Sequence, residues 1–328
     1  MDIRALKYFV QIVEDGSLSR ASRALHVAQP ALSQQVAKLE DQVGRALLVR
    51  STKGVTPTEN GLALYHHARL LIRQMEQALM IAQAPDGAVK GVVTIGLPAT
   101  TVASIGLPLV QRVRARFPGI LLNVVEAMSG HIDQMIRQRQ LDLAVLFSAD
   151  LSSEFAVSPL MVEELFVIVA ADGDLVPPGR ETLTIEEVSR FPLIMPTSVH
   201  GLRKRVAIEF ESRALSMNVV AEIDSLSLLM NCVQEGIGAT IKPMGAIMQQ
   251  RGQERDWRWL RISDAQMRRS NFLYSLPAEH LSPAAAIIGE EVRETVNALI
   301  RDARWQGFEP APGARPARPP RPADVRVA

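Results

Sequence analysis

The chain has 328 residues, of which 47% are hydrophobic and 22% charged, ordinary values for folded domains. They exclude wholesale disorder, and the single cysteine, Cys232, excludes an internal disulfide, a CxxC redox pair and a cysteine-rich zinc site. The net charge is only +1, but residues 1–90 hold 11 Lys/Arg against 8 Asp/Glu, whereas residues 91–308 hold 21 against 25. A mildly basic head on an acidic body is compatible with nucleic acid at the N-terminal end, and the length predicts two or three domains.

The N-terminus is charged at once and has no apolar signal core, so the cytoplasm is the expected compartment. The longest uncharged stretch, 91–111, contains Pro98 and Pro108 and reads as strand, turn and helix, so no membrane partner is expected. Within residues 2–45, Leu6, Phe9, Val10 and Val13 recur at helical spacing, Asp15-Gly16 ends that helix, and Ser17 caps a second, shorter one. His26-Val27-Ala28 breaks the pattern. Pro30 then falls in the first turn of a third helix whose Leu32, Val36, Leu39 and Val43 share one face. Its opposite face carries Pro30, Gln34, Ala37, Lys38 and Asp41, with Ser33 on the flank. Two short strand-like runs, 47–50 and 54–56, enclose a hairpin tip at Ser51-Thr52-Lys53. Thr58 caps a long helix reaching about Ala84, with a stripe of Leu62, Tyr65, Ala68, Ile72, Met75, Leu79 and Ala82. Such a seam on a long helix predicts pairing with a second copy. Pro85-Asp86-Gly87 marks a hinge over 85–90.

From Gly91 strand-length apolar runs alternate with helical patterns. Strands are predicted at 92–97, 121–126, 141–147, 165–171, 193–195, 219–223 and 239–242, and helices at 101–117, 131–138, 202–214, 226–234 and 283–305. That alternation predicts an α/β body with largely parallel sheets in two lobes. Six prolines and four arginines from Glu309 onward predict a disordered tail, 306–328, dispensable for folding.

No enzyme motif is present: there is no GxSxG, HExxH or GxxxxGK[ST], and Gly236-Ile237-Gly238 lacks the third glycine of a dinucleotide turn. The histidines are scattered, and no metal site, cofactor or catalytic residue is expected. The first 57 residues fit a winged helix-turn-helix. Gln34 offers a donor and an acceptor to an adenine edge, Ser33 and Lys38 suit base or phosphate, and Arg50 and Lys53 sit on the wing. Periodicity alone fits an ordinary three-helix domain equally well.

The run from Leu6 to Gly61 resembles the N-terminal signature of LysR-type transcriptional regulators. The matching elements are Phe9, Gly16-Ser17, Ala21, Ala24-Leu25, Val27, Gln29-Pro30-Ala31-Leu32-Ser33, Leu39-Glu40, Gly44, Leu47-Leu48, Arg50, Thr56-Pro57-Thr58-Glu59 and Gly61. Residues 28–40 look closest to the nitrogen assimilation control regulators within that family, and 91–305 are similar to its effector domain. The resemblance implies an α+β or α/β chain. A winged helix-turn-helix occupies 1–58 and a linker or dimerisation helix 58–84. A two-lobed effector domain like a type 2 periplasmic binding protein occupies 91–305, with lobe one 91–161 plus 269–305 and lobe two 162–268. It implies double-stranded DNA as partner, a homodimer and a tetramer built from it, and RNA polymerase as a further partner. The DNA-binding residues are then Ser17, Gln29, Pro30, Ser33, Gln34, Lys38, Arg50 and Lys53, and the dimer residues Leu62, Tyr65, Ile72, Met75 and Leu79. A small carboxylate-bearing effector would lie between the lobes near Thr100, Thr101, Ser129, Phe147, Thr197 and His200, at strand ends that feed helix N-termini. Two other readings remain at this stage: a regulator with a vestigial cleft, and a solute-binding module with an accessory helical head.

Overall fold

In the computed structural model, the described residues are 2–52, 54–82, 89–150, 154–250, 254–302 and 304–313. They form two compact units: residues 1–92 with 135–141, and residues 93–134 with 142 onward.

The first unit opens with α1 (Ile3–Asp15), α2 (Leu18–Ala24) and α3 (Gln29–Val43), followed by β1 (Leu48–Ser51), β2 (Gly54–Pro57) and α4 (Glu59–Ala82). Side chains start these helices where the sequence places them. Asp2 accepts from the Arg4 N–H, Ser17 from the Arg20 N–H, and Thr58 from the Gly61 N–H at 3.0 Å. The reversal between α2 and α3 passes through His26, which takes a left-handed φ of 53°. Phe9, Ile12, Ala21, Leu32, Val36, Leu39, Leu47 and Ala68 form one buried core. β1 and β2 are an antiparallel hairpin with Arg50 opposite Val55. The Glu40 carboxylate accepts the N–H groups of Leu47 and Leu48 at 2.7 and 3.1 Å, tying the start of the wing to α3. The unit is therefore a winged helix-turn-helix on a long helix. Residues 83–88, which hold most of the predicted hinge, lie outside the described residues.

From Gly91 the chain runs β3 (Gly91–Leu97), α5 (Ala99–Thr101), a π-helical turn at Val102–Gly106, α6 (Leu107–Arg116), β4 (Ile120–Glu126), α7 (Ser129–Arg137), β5 (Leu143–Leu146) and β6 (Ala156–Ala170). It continues through β7 (Thr182–Leu183), α8 (Ile185–Ser189), β8 (Leu193–Met195), α9 (Gly201–Glu211), β9 (Val219–Glu222), α10 (Leu226–Gln234), β10 (Thr240–Pro243) and α11 (Gly245–Met248). It ends with β11 (Trp257–Ile262), β12 (Arg268–Ser275), α12 (Pro283–Arg301) and β13 (Phe308–Pro310). Among the described residues one nine-stranded sheet has the order β4-β3-β5-β12-β6-β11-β7, with β10 and β13 also on β6, and β8 and β9 form a separate pair.

The sheet is mixed, which corrects the expectation of largely parallel sheets. β3–β5, β7–β11 and β8–β9 are parallel, whereas β12 is antiparallel to both β5 and β6, and β10 and β11 are antiparallel to β6. The reason is β6. Its first half, to Glu164, pairs with β12 in lobe one, and its second half pairs with β10 and β11 in lobe two. One strand thus passes from lobe to lobe, and β12 accompanies it where Met267 O accepts the Leu165 N–H at 2.7 Å. One core runs from β3, α6 and α12 into α10 and α11, and a second lies on the other side of lobe two around Leu165, Val167, Phe210 and Leu260. No helix among the described residues is long and apolar enough to cross a membrane.

The expected disorder from residue 306 does not hold for 307–311. β13 pairs antiparallel with β6, Phe308 opposite Glu163 and Pro310 opposite Met161, and the Glu164 N–H donates to Gly307 O at 2.9 Å. Gly307 has a φ of 79°, and a Cβ there would sit 2.6 Å from the Phe166 ring. Phe308 and Ala311 are buried. The proline-rich composition hid a short apolar segment that satisfies backbone groups of β6 on the side away from β12. Residues 314–328 lie outside the described residues. Truncation after Gly313 is expected to leave the melting temperature unchanged. Truncation after Gln306 should cost about 3–5 kcal/mol, the scale of losing one buried phenylalanine, as read by thermal unfolding.

Candidate functional site

On the head, Gln29, Pro30, Gln34 and Lys38 are exposed on α3, and Ser33 is half-buried. Arg50 of the wing donates from Nη1 to Ser33 Oγ at 3.0 Å, and Ser19 Oγ donates to Gln29 Oε1 at 3.1 Å. The fold thus brings α3, the wing and the first turn of α2 to one polar surface with a cation on it. Ser17 stands apart from that group, with its hydroxyl used as the N-cap of α2, and Lys53 lies outside the described residues. Ser19 was not singled out from sequence, and Glu40 entered only as part of the family signature. Their roles rest on contacts to residues that are distant in the chain.

The predicted dimer stripe on α4 is divided. Tyr65 and Ile72 are packed, with Leu64 and Ala68, against the head's own core. The cause is α1, which lies along α4: Tyr65 Oη donates to Glu14 at 3.2 Å and Lys7 pairs with Glu76 at 3.0 Å. Met75 is half-buried, and Leu62, Leu71 and Leu79 are exposed.

In the body, a cavity of about 190 Å³ opens where the two lobes meet. It is lined by the starts of α5 (Pro98, Ala99, Thr100) and α10 (Ser225, Leu226), by Met128 just before α7 and by His200 before α9. Phe147, Asp224, Lys242 and Arg269 complete its polar and aromatic wall. Thr100, Phe147 and His200 therefore line one cavity. Three other residues do not line it. Thr101 is fully buried, Ser129 lies against Gly201, and Thr197 gives both its N–H and its hydroxyl to Asp224 at 3.0 and 3.1 Å. Strand-to-helix position alone does not separate a side chain aimed into the cleft from one aimed into the core.

The cations of the cavity were missed. Arg269, on β12, is 7% exposed. Its Nε donates to Glu163 at 2.7 Å, its Nη2 donates to Thr100 Oγ1 at 2.8 Å, and its guanidinium lies 3.8 Å from the centroid of the Phe147 ring. Asn271 donates to the same Glu163 oxygen at 2.9 Å. The Thr100 hydroxyl expected to meet a ligand thus orients the arginine instead. Lys242, on β10, is 6% exposed. Burial, with the nearby Arg269, lowers it to about 7 against the opposing pull of Asp224. His200 is pushed down to about 4, chiefly by burial and then by Lys242 and Arg269, so it is neutral near pH 7. Its Nδ1 accepts the Leu202 N–H that opens α9. α11 presses its backbone on the same spot: a Cβ on Gly245 would lie 2.3 Å from Thr100 O. A Lys inside the apolar run Thr240–Met248 and an Arg at the foot of Phe272-Leu273 were the sequence signals available.

A winged head and a two-lobed body with an inter-lobe cavity define a DNA-binding transcriptional regulator with an effector-binding domain. Residues 3–62 match the bacterial regulatory helix-turn-helix protein, lysR family, and residues 86–297 match the LysR substrate binding domain. The chain belongs to the LysR family of transcriptional regulators, which are not enzymes. It is 36% identical over 309 residues to the nitrogen assimilation regulatory protein nac of Escherichia coli (strain K12), covering 93% of this chain and 99% of that protein. Its fold is similar to that of a full-length OxyR variant from Pseudomonas aeruginosa, with a TM-score of 0.69 at 19% identity over 96% of this chain and 99% of that one. It is also similar to full-length CbnR complexed with its target DNA, with a TM-score of 0.69 at 16% identity over 90% and 100%.

Proposed function

We propose that this regulator reads operator DNA with the outer face of α3 and the wing, as a dimer joined through α4, and that a small carboxylate-bearing effector in the inter-lobe cavity controls it. The observation that carries the effector reading is the pair of buried cations, Arg269 and Lys242, lining one cavity beside the starts of α5 and α10. A buried cationic group favours an anion beside it. The relatedness to nac and the likeness to CbnR on its target DNA support a regulator that acts in the cytoplasm on double-stranded DNA. The leucines left exposed on α4, Leu62, Leu71 and Leu79, suit the dimer seam, and dimers of this family would pair through their effector domains to a tetramer and work on RNA polymerase.

Footprinting on DNA upstream of the gene tests the reading, with two protected half-sites spaced by whole helical turns as the expected result. Gln34→Ala should cost about 1–3 kcal/mol and relax preference at one base pair, because it removes a two-point base contact. Arg50→Ala should weaken all sequences alike and flatten the salt dependence by about one unit. Unchanged affinity and preference in Gln34→Ala would place the reading face elsewhere.

A further inference from the structure

The effector reading above, on which this inference rests, leaves the chemistry of Lys242 unused. β10 is buried throughout, and Lys242 brings its ammonium to the cavity wall with only 6% of the residue exposed. A buried cation is normally held by a carboxylate. Among the described residues none pairs with Lys242. Of the charged groups around it, Glu163 on β6 is taken by Arg269 and Asn271. Asp224, before α10, is engaged by the Thr197 N–H and hydroxyl. Glu126 stands exposed at the end of β4 on the cavity rim, His200 before α9 is neutral near pH 7, and Arg269 on β12 is a like charge. Asp224 attracts Lys242 across the cavity wall without pairing with it, and the cavity beside the ammonium has room for a carboxylate in contact.

We propose that Lys242 selects the charge of the effector: the cavity takes a small organic acid whose carboxylate pairs with the Lys242 ammonium. At about 190 Å³ the space falls below the ~300–1,000 Å³ of sites for drug-sized ligands, which points to a short-chain acid. A pH dependence follows from linkage: burial holds Lys242 at about 7, so its neutral form is populated near pH 7. A carboxylate against the amine favours the charged form and raises that value. Binding therefore takes up protons near neutral pH, and affinity falls as pH rises above about 7. His200, down at about 4, does not titrate in this range.

The test uses the full chain and a stated panel: the straight-chain mono- and dicarboxylic acids from acetate to adipate, and their uncharged amides. Melting curves at millimolar ligand are followed by calorimetry of the responsive acids in two buffers of different ionisation heat. The expected result is that at least one acid raises the melting temperature while its amide does not, with the proton uptake and pH dependence just given. Lys242→Met, an aliphatic replacement, should melt higher than the parent without ligand and should bind the acid at least tenfold more weakly. Lys242→Arg should keep binding while losing the pH dependence. Equal shifts from acid and amide, or a Lys242→Met protein with the parent's affinity and pH profile, would overturn the role of Lys242 and leave the cleft as an effector site. No shift by any compound of the panel would overturn both.

Discussion

Glu163→Ala is expected to cost the body of the protein about 3–5 kcal/mol, the scale for breaking a buried ion pair by removing one partner. Glu163 is fully buried, and a single oxygen takes both the Arg269 guanidinium at 2.7 Å and the Asn271 amide at 2.9 Å. Alanine would leave a charge and an amide buried without their acceptor, and would free Arg269 from the posture that Thr100 and Phe147 share in holding. All three tryptophans, Trp257, Trp259 and Trp305, lie in the body, so the midpoint of urea unfolding followed by fluorescence reads that unit alone. The double variant Glu163→Ala with Arg269→Met removes the orphaned charge and should regain much of the loss. A single variant within about 0.5 kcal/mol of the parent would show that the pair does not hold the crossing of the lobes.

Gly61→Ala is expected to abolish DNA binding by unseating α4 from the head. A Cβ at that position would lie 1.9 Å from Leu47 O and 2.9 Å from its carbonyl carbon, both backbone atoms with no rotamer through which to escape. The same backbone is fixed from two other sides. Glu40 receives the Leu47 N–H, and the Thr58 N–H donates to Leu47 O at 2.9 Å. Overpacking typically costs about 1–3 kcal/mol and more where nothing can shift, enough to take a domain of this size close to its unfolding limit. Gel shifts on the footprinted DNA, with tryptophan fluorescence showing an undisturbed body, check this. Full affinity in the alanine variant would mean that the wing moves aside at no cost.

The head was legible because its cues are local. Caps, the left-handed break and the helical stripes all fall within a few residues of one another, and the position of Gly61 in the signature has its explanation in the Leu47 carbonyl. The body was legible as far as its apolar runs went, so that α10 came out as read and β8 spans the residues expected of it. β12 did not. Arg268-Arg269-Ser270-Asn271 carry no apolar run, and the burial of Arg269 and Asn271 rests on a partner, Glu163, 106 positions before Arg269 in the chain. The cavity was half legible for the same reason. The starts of helices announce themselves in sequence, whereas Lys242 and Arg269 sit in strands, and only the fold places them on the cavity wall. The stripe on α4 had the right period but not its cover, because α1 supplies that cover from the other end of the head.

The attachment of β13 to β6 has a practical consequence for anyone who labels this protein. A fluorophore or affinity tag joined directly after Gln306 would compete with the Gly307 carbonyl for the backbone of the strand that links the lobes, whereas one joined beyond Gly313 would leave it seated.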